Sequence, residues 1–213
     1  GPLHRIERAE NATTQLLLDW MVLMRMFLAL VHHPCVDRQG KVITTALTNV
    51  DVHDIGRSSR TYGAERLFIV TPVTLQQKMV TEMVHHWTVG EGLTRNDRRA
   101  EAMRRVTTAP SVAAACEVIT SLTGQAPLVV ATSARMEGPD STWAGMRDRL
   151  RHHDGPVLML FGTGWGMAPE LVEGADVCLP AIVRDPELGP SDGYNHLSVR
   201  AAAAIALDRL FGA

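Results

Sequence analysis

The stretch Val157-Leu-Met-Leu-Phe-Gly-Thr-Gly-Trp-Gly-Met-Ala-Pro-Glu170 constrains this chain more than any other. Residues 157–161 are apolar without alternation, the pattern of a strand buried on both faces, as in a parallel sheet covered by helices. Gly162, Gly164 and Gly166 follow at every second position, so the backbone can turn sharply and approach a ligand with no Cβ in the way. Residues 167–172 read as a helix start, with Pro169 tolerated in its first turn. Strand, glycine loop and helix start are a common way to build a small-molecule site in an α/β sheet. The same pattern alone also suits a turn that binds nothing. A phosphate loop needs Lys-Ser/Thr after its last glycine, where Met167 stands. A dinucleotide loop usually follows the first strand of its unit, with an acidic residue about 20 positions on, whereas this loop lies far down the chain. Trp165 places a large flat side chain inside the loop.

Around that stretch, strands and helices alternate. Residues 26–32, 66–72, 106–109, 127–131 and 176–183 read as strands, and 41–47 as a short one. Helices are expected at 12–25, from an Asp51 N-cap to Gly63, at 75–87, 95–105, 111–123 and 142–153, and at 194–211 to close the chain. The alanine run 201–204 permits close approach of another element. The alternation predicts an α/β domain with a mainly parallel sheet flanked by helices.

Length and composition narrow the function. The 213 residues suffice for one sizeable core, and a net charge of −2 offers no global basic field, so any polyanion site must be a local patch. Cys35, Cys116 and Cys178 are odd in number and far apart, with neither metal spacing nor a disulfide framework, which fits a reducing cytoplasm. The apolar segment 16–31 is interrupted by Asp19 and Arg25, whereas a membrane span needs roughly 18 or more apolar residues with few charges. No membrane partner is expected. The doublets His32-His33, His85-His86 and His152-His153 lack a partner at ligand spacing, so they read as surface or cap histidines and no metal is expected. Gly1-Pro2 reads as the scar of a removed tag.

Two polar clusters exceed what packing needs. Asn49, Asp51, His53 and Asp54 crowd one helix entrance, and Arg57 and Arg60 project from one side of that helix. An ordinary solvated helix face fits that cluster equally well. Residues 95–105 carry five arginines against two acids, a candidate phosphate-contacting patch formed by Arg95, Arg98 and Arg99 with their neighbours, although such runs are more often solvated helix.

Five pieces, in order from residue 26 to 212, carry a resemblance. They are Leu30-Val-His-His-Pro34, Asp51-Val-His-Asp-Ile55, Arg60-Thr-Tyr-Gly63, Phe161-Gly-Thr-Gly-Trp-Gly166 and Tyr194-Asn-His-Leu-Ser-Val-Arg200. Together they resemble the SPOUT (SpoU/TrmD) superfamily of S-adenosylmethionine-dependent RNA methyltransferases, and within it a bacterial group described as tRNA guanine methyltransferase-like. The resemblance divides the chain into an N-terminal extension, 1–25, and a methyltransferase domain, 26–213, with Met24 or Met26 as a natural start. It implies a C-terminal trefoil knot, which general folding rules would not suggest, and a homodimer. It implies three cofactor loops: Thr132 and Ser133; Phe161, Gly162, Thr163, Gly164 and Gly166; and Leu179, Pro180 and Ile182 with Asn195, His196, Leu197 and Ser198.

Arg57 matches the arginine of the first superfamily motif, six residues before its glycine, here Gly63, an arginine that helps deprotonate or orient an attacking hydroxyl in ribose methyltransferases of this kind. Asp51 stands where asparagine is usual. A base-methylating member would use an aspartate as general base, and both Asp51 and Asp54 are present. The implied function is methyl transfer from S-adenosylmethionine to RNA, tRNA or rRNA, in the cytoplasm, with Arg60, Arg95, Arg98 and Arg99 touching RNA. Two other readings stand beside it: an NAD- or nucleotide-dependent α/β enzyme, and a catalytically inactive knotted RNA-binding dimer.

Overall fold

A computed structural model describes residues 24–135, 138–189 and 192–213. Six parallel strands form the sheet: β1 (Arg25–Val31), β4 (Arg66–Val70), β5 (Val106–Ala109), β6 (Leu128–Thr132), β7 (Pro156–Gly162) and β8 (Val177–Leu179). Their spatial order is β5-β4-β1-β7-β6-β8. The paired strands β2 (Cys35–Val36) and β3 (Val42–Ile43) make a small antiparallel hairpin beside it. The expected alternation of strands and helices, and the parallel sheet, are present.

The two central strands explain the unbroken apolar runs. In β1, Met26, Leu28 and Leu30 face one layer while Phe27, Ala29 and Val31 face the other. The first layer is covered by α1 (Asn49–Thr61), α2 (Thr74–Thr88), α4 (Asp97–Met103), α6 (Trp143–Arg151) and α8 (Val199–Phe211). The second is covered by α5 (Val112–Thr123) and α7 (Pro169–Glu173); α3 (Gly92–Arg95) is a single turn before α4. Burial on both sides removes the reason for polar alternation. Phe27 and Phe161 are among the fully buried side chains, and truncating either to alanine would cost about 3–5 kcal/mol.

Register brings the strand ends to one level. Val31 lies opposite Gly162, Ala131 opposite Leu160, and Thr132 opposite Leu179. The chain leaves β1 toward β4 and β5 on one side and returns as β6, β7 and β8 on the other. That reversal opens a crevice at the carboxyl ends of the strands, where α/β sheets bind ligands.

Several boundaries differ from the sequence expectation for identifiable reasons. The α1 N-cap is Thr48, not Asp51: Thr48 is extended and its hydroxyl accepts from the Asp51 amide at 3.3 Å. The closing helix begins at Val199 because Ser198 caps it, its Oγ accepting from the Ala201 amide, and the 194–198 segment stays non-helical. The last strand stops at Leu179, before Pro180, whose missing N–H cannot extend a ladder. Asn96 divides the arginine-rich run, capping α4 through the Arg99 amide at 2.9 Å. Only Val42 and Ile43 of the 41–47 segment are strand. Leu75, Met79, Met83 and Trp87 recur at helical spacing along α2, but Leu75 and Met79 are exposed, whereas Met83 and Trp87 pack on the core. The expected leading helix lies outside the described residues. Among those described, no helix is long and apolar enough to cross a membrane.

Candidate active site

A cavity of about 540 Å³ opens at the carboxyl edge of the sheet, within the range of small-molecule sites. Its lining includes residues 132–135, 161–166, Pro180 with Ile182, and 195–200, joined by Thr45, Ala46, Thr48 and Asp51, by Trp143 and by Ala202. All the residues expected to hold the cofactor stand on this lining except Leu179, which is fully buried in the core beneath it. The NAD alternative rested on the same glycine loop, and the loop here joins the other lining segments in one wall.

The loop is held closely by its neighbours. The Thr163 hydroxyl donates to the Val31 carbonyl at 2.9 Å and pairs with the Thr45 hydroxyl. The Val36 amide donates to Gly166 O at 2.9 Å, and the Trp165 amide to Val36 O at 3.3 Å. A Cβ on Gly162 would stand 2.7 Å from Met167 Cγ and 2.9 Å from its amide nitrogen. At Gly164, with φ +62, a Cβ would stand 2.9 Å from Thr45 Cγ2. Both positions therefore demand glycine, one for space and one for conformation as well. On the adjacent strand, the Thr132 hydroxyl donates to the Leu160 carbonyl at 2.8 Å, tying two of the loops together.

Asp51 faces this cavity and is 9% exposed. One carboxylate oxygen accepts from Arg200 at 2.9 Å, and the other accepts from the Thr48 hydroxyl. Arg200, on the first turn of α8, also approaches Asp54 at 3.7 Å. Asp54 does not line the cavity, so the two aspartates separate by position.

Beneath the lining lies His32, which is fully buried and not at the surface as its doublet suggested. Its Nδ1 pairs with the Thr45 hydroxyl at 2.9 Å, and its Nε2 is buried with no hydrogen-bond partner. Burial lowers its pKa to about 4, against the opposing pull of the Asp51 charge, so the ring is neutral near pH 7. The Gln76 amide donates to the Thr45 carbonyl at 3.0 Å and its oxygen accepts from Thr71, extending the network to α2.

The arginines gather elsewhere. Arg57, Arg60, Arg98 and Arg99 line a second cleft of about 520 Å³ between α1 and α4. Arg57 is thus placed with the expected RNA contacts and not on the cofactor-loop cavity. Arg95 is outside the cleft lining and approaches Glu91 at 3.6 Å. Arg60 is paired with Glu101 through two nitrogens, whereas Arg57, Arg98 and Arg99 make no ion pair with a carboxylate among the described residues. The Arg99 guanidinium lies 4.7 Å from the Trp87 ring centroid, and His53 meets the same ring edge-on at 5.6 Å. His53 therefore packs against Trp87 and lines neither the cleft nor the cavity. Burial holds its pKa below the usual value, and Arg99 adds to the effect.

Sequence reasoning passed over Thr45, Thr48, Arg135, Trp143, Trp165 and Arg200 on the cavity wall. Arg200 ends a quoted motif and Trp165 sits inside another, so both were within reach; Thr45 and Trp143 carry no local signal and are brought in by tertiary packing.

The geometry agrees with what comparison shows. The model of a family of SAM-dependent RNA methyltransferases matches residues 25–212. A tRNA (guanine-N(1)-)-methyltransferase of Nitratidesulfovibrio vulgaris is 48% identical over 187 residues, 88% of this chain, which spans 42% of that relative's length. An uncharacterized protein of Aquifex aeolicus is 36% identical over 191 residues, 90% of each chain. Among solved structures, a probable methyltransferase from Bordetella pertussis shares the fold with a TM-score of 0.57 at 17% identity, over 88% of this chain and 94% of that one. The chain belongs to the SAM-dependent RNA methyltransferase family, whose cofactor is S-adenosylmethionine.

Proposed function

We propose that this protein transfers a methyl group from S-adenosylmethionine to RNA, with tRNA as the first substrate to test. The observation that carries the reading is the convergence of several chain segments, distant in sequence, on one glycine-walled cavity at the carboxyl edge of the sheet. The Nitratidesulfovibrio relative's name supports tRNA and a guanine acceptor. Residues 26–213 form the methyltransferase domain in this reading, with 1–25 as an extension, a trefoil knot at the cofactor loops, a homodimer as the working unit and the cytoplasm as its location.

The cofactor supplies an electrophilic methyl on a sulfonium centre. The chain must bind it, align the acceptor and accept a proton. Backbone groups of residues 161–166 and 195–198, with Thr132, Ser133, Pro180 and Ile182, would hold the adenosine and methionine parts. The missing Cβ atoms at Gly162 and Gly164 leave the loop against its neighbours, so the wall is already shaped before a ligand arrives.

Asp51 is the carboxylate at the cavity and takes the role of general base, with Thr48 and Arg200 positioning it. Asp54, off the cavity wall, is secondary. Arg57 and the arginines beside it engage RNA, through phosphate or the reacting nucleotide. Labelled methyl transfer from S-adenosylmethionine to bacterial tRNA tests the whole reading. Asp51→Asn should abolish transfer while cofactor affinity is retained, and Asp54→Asn should leave most activity. Binding of NAD without binding of S-adenosylmethionine would overturn the assignment. Cofactor binding without transfer to any cellular RNA would favour a non-catalytic RNA-binding dimer.

A further inference from the structure

Trp165 is 40% exposed on the rim of the cavity, in the middle of a loop whose other side chains are small or buried. Its backbone is fixed to the β2–β3 hairpin by the two Val36 hydrogen bonds, with Gly164 and Gly166 at positive φ on either side. The turn of that hairpin delivers Arg38, whose guanidinium carbon lies 5.8 Å from the ring centroid. The segment after β6 delivers Arg135 at 4.4 Å. Three separate chain segments thus bring one indole and two guanidinium groups to one point beside the cavity.

Neither arginine makes an ion pair with a carboxylate among the described residues. Beside Arg38, Asp37 directs Oδ1 to the amides of Gln39 and Lys41. Arginine stems often cover an exposed aromatic ring without further purpose. Here, however, two cations without a carboxylate partner among the described residues, and a ring mounted on a hydrogen-bonded loop, border a site that in the proposed reading takes a polyanion of flat bases. Single-stranded nucleic acid is held by that combination, with bases stacking on the aromatic face and cations following the phosphates.

We propose that Trp165, Arg38 and Arg135 form a subsite that stacks one RNA base and grips its phosphates next to the nucleotide being methylated. The inference rests on the RNA methyltransferase reading, and the three residues form a group distinct from the Arg57, Arg98 and Arg99 cleft.

The test uses the full chain and two titrations: S-adenosylhomocysteine by calorimetry and unfractionated bacterial RNA by filter binding at two salt concentrations. Trp165→Ala should weaken RNA binding roughly 10- to 100-fold, the loss of one base–aromatic stack. Trp165→Phe should retain most of the affinity, because it keeps a π face. Arg38→Gln with Arg135→Gln should weaken RNA binding and lower the salt slope by about 1 to 2, as lost phosphate contacts require. In every variant S-adenosylhomocysteine affinity should fall by less than RNA affinity does. Unchanged RNA affinity in Trp165→Ala and in the double arginine variant overturns the proposal. Loss of S-adenosylhomocysteine affinity with RNA binding intact also overturns it, since the three residues would then serve the cofactor. Wild-type protein that binds S-adenosylhomocysteine but no RNA overturns it too, whereas wild-type protein that does not bind S-adenosylhomocysteine defeats the methyltransferase reading itself.

Discussion

Helix α1 takes part in two sites of opposite construction. Its first turn gives Asp51 to the cavity, and its last turns give Arg57, Arg60 and Thr61 to the arginine cleft. The cavity is built from strand ends, glycine backbone and hydroxyls already bonded to one another, and its one buried carboxylate is paired with Arg200. The cleft is built from long cationic side chains on helices, of which Arg60 alone of the four has a carboxylate partner among the described residues. A preshaped wall suits a small ligand of fixed shape. Clustered guanidiniums suit a large anion read through its phosphates. One region should thus respond to changes in space and the other to salt.

The largest effect should come from filling the cavity wall. Gly164→Val puts a branched side chain at φ +62 and against Thr45, and should lower S-adenosylmethionine affinity by about 100-fold or more, roughly 3 kcal/mol. RNA binding through the cleft should survive, as filter binding would show; parallel loss of both would mean that the two regions are one site.

A second contrast is pH. The His32 pKa falls from 6.5 to about 4 on folding, so between those values the unfolded chain takes up a proton that the folded chain refuses. Stability from this group is fully present above about pH 6.5 and falls by roughly 3 kcal/mol as pH drops toward 4. Urea unfolding at pH 7 and pH 4.5 should show this component in the native chain and its absence in His32→Gln. Equal slopes would place the acid sensitivity in other groups.

Arg57→Ala should reduce methyl transfer about 10- to 100-fold at saturating RNA and leave cofactor affinity unchanged, because Arg57 is on the cleft and not on the cavity. Arg57→Lys should recover little of the rate, since an ammonium cannot copy the guanidinium fork. The wild-type rate in Arg57→Ala would make this arginine structural.

The smallest effect belongs to the cleft rim. Neutralising Arg98 and Arg99 should weaken RNA binding several-fold and lower the salt slope by about 1 to 2, with turnover at saturation preserved. An unchanged slope would remove these arginines from the phosphate path.

The sequence made the central strands and the glycine loop readable because burial on both faces leaves a continuous apolar run, and because close backbone approach leaves only glycine at positions 162 and 164. The cavity-lining segments could be named from the family resemblance, but their convergence depends on strand register, which pairs Val31 with Gly162 and Thr132 with Leu179 across long sequence separations. The Asp51–Arg200 pair spans 149 positions and was illegible for the same reason. Thr48 was passed over as the cap because Asp51 is an equally good cap by residue type; the backbone of Thr48 decides between them. The resemblance grouped Arg57 with the reacting groups, and the structure places it among the cleft arginines.

The central claim is that the chain carries a cofactor site and an RNA site that can be damaged separately. Paired titrations of S-adenosylmethionine and bacterial tRNA into Gly164→Val and into the Arg98→Ala, Arg99→Ala double variant test it most directly. The account predicts that the first variant loses the cofactor and keeps tRNA, and that the second keeps the cofactor and loses tRNA affinity together with part of its salt dependence. Two variants that lose both ligands alike, or a double arginine variant that loses the cofactor and keeps tRNA, would contradict it.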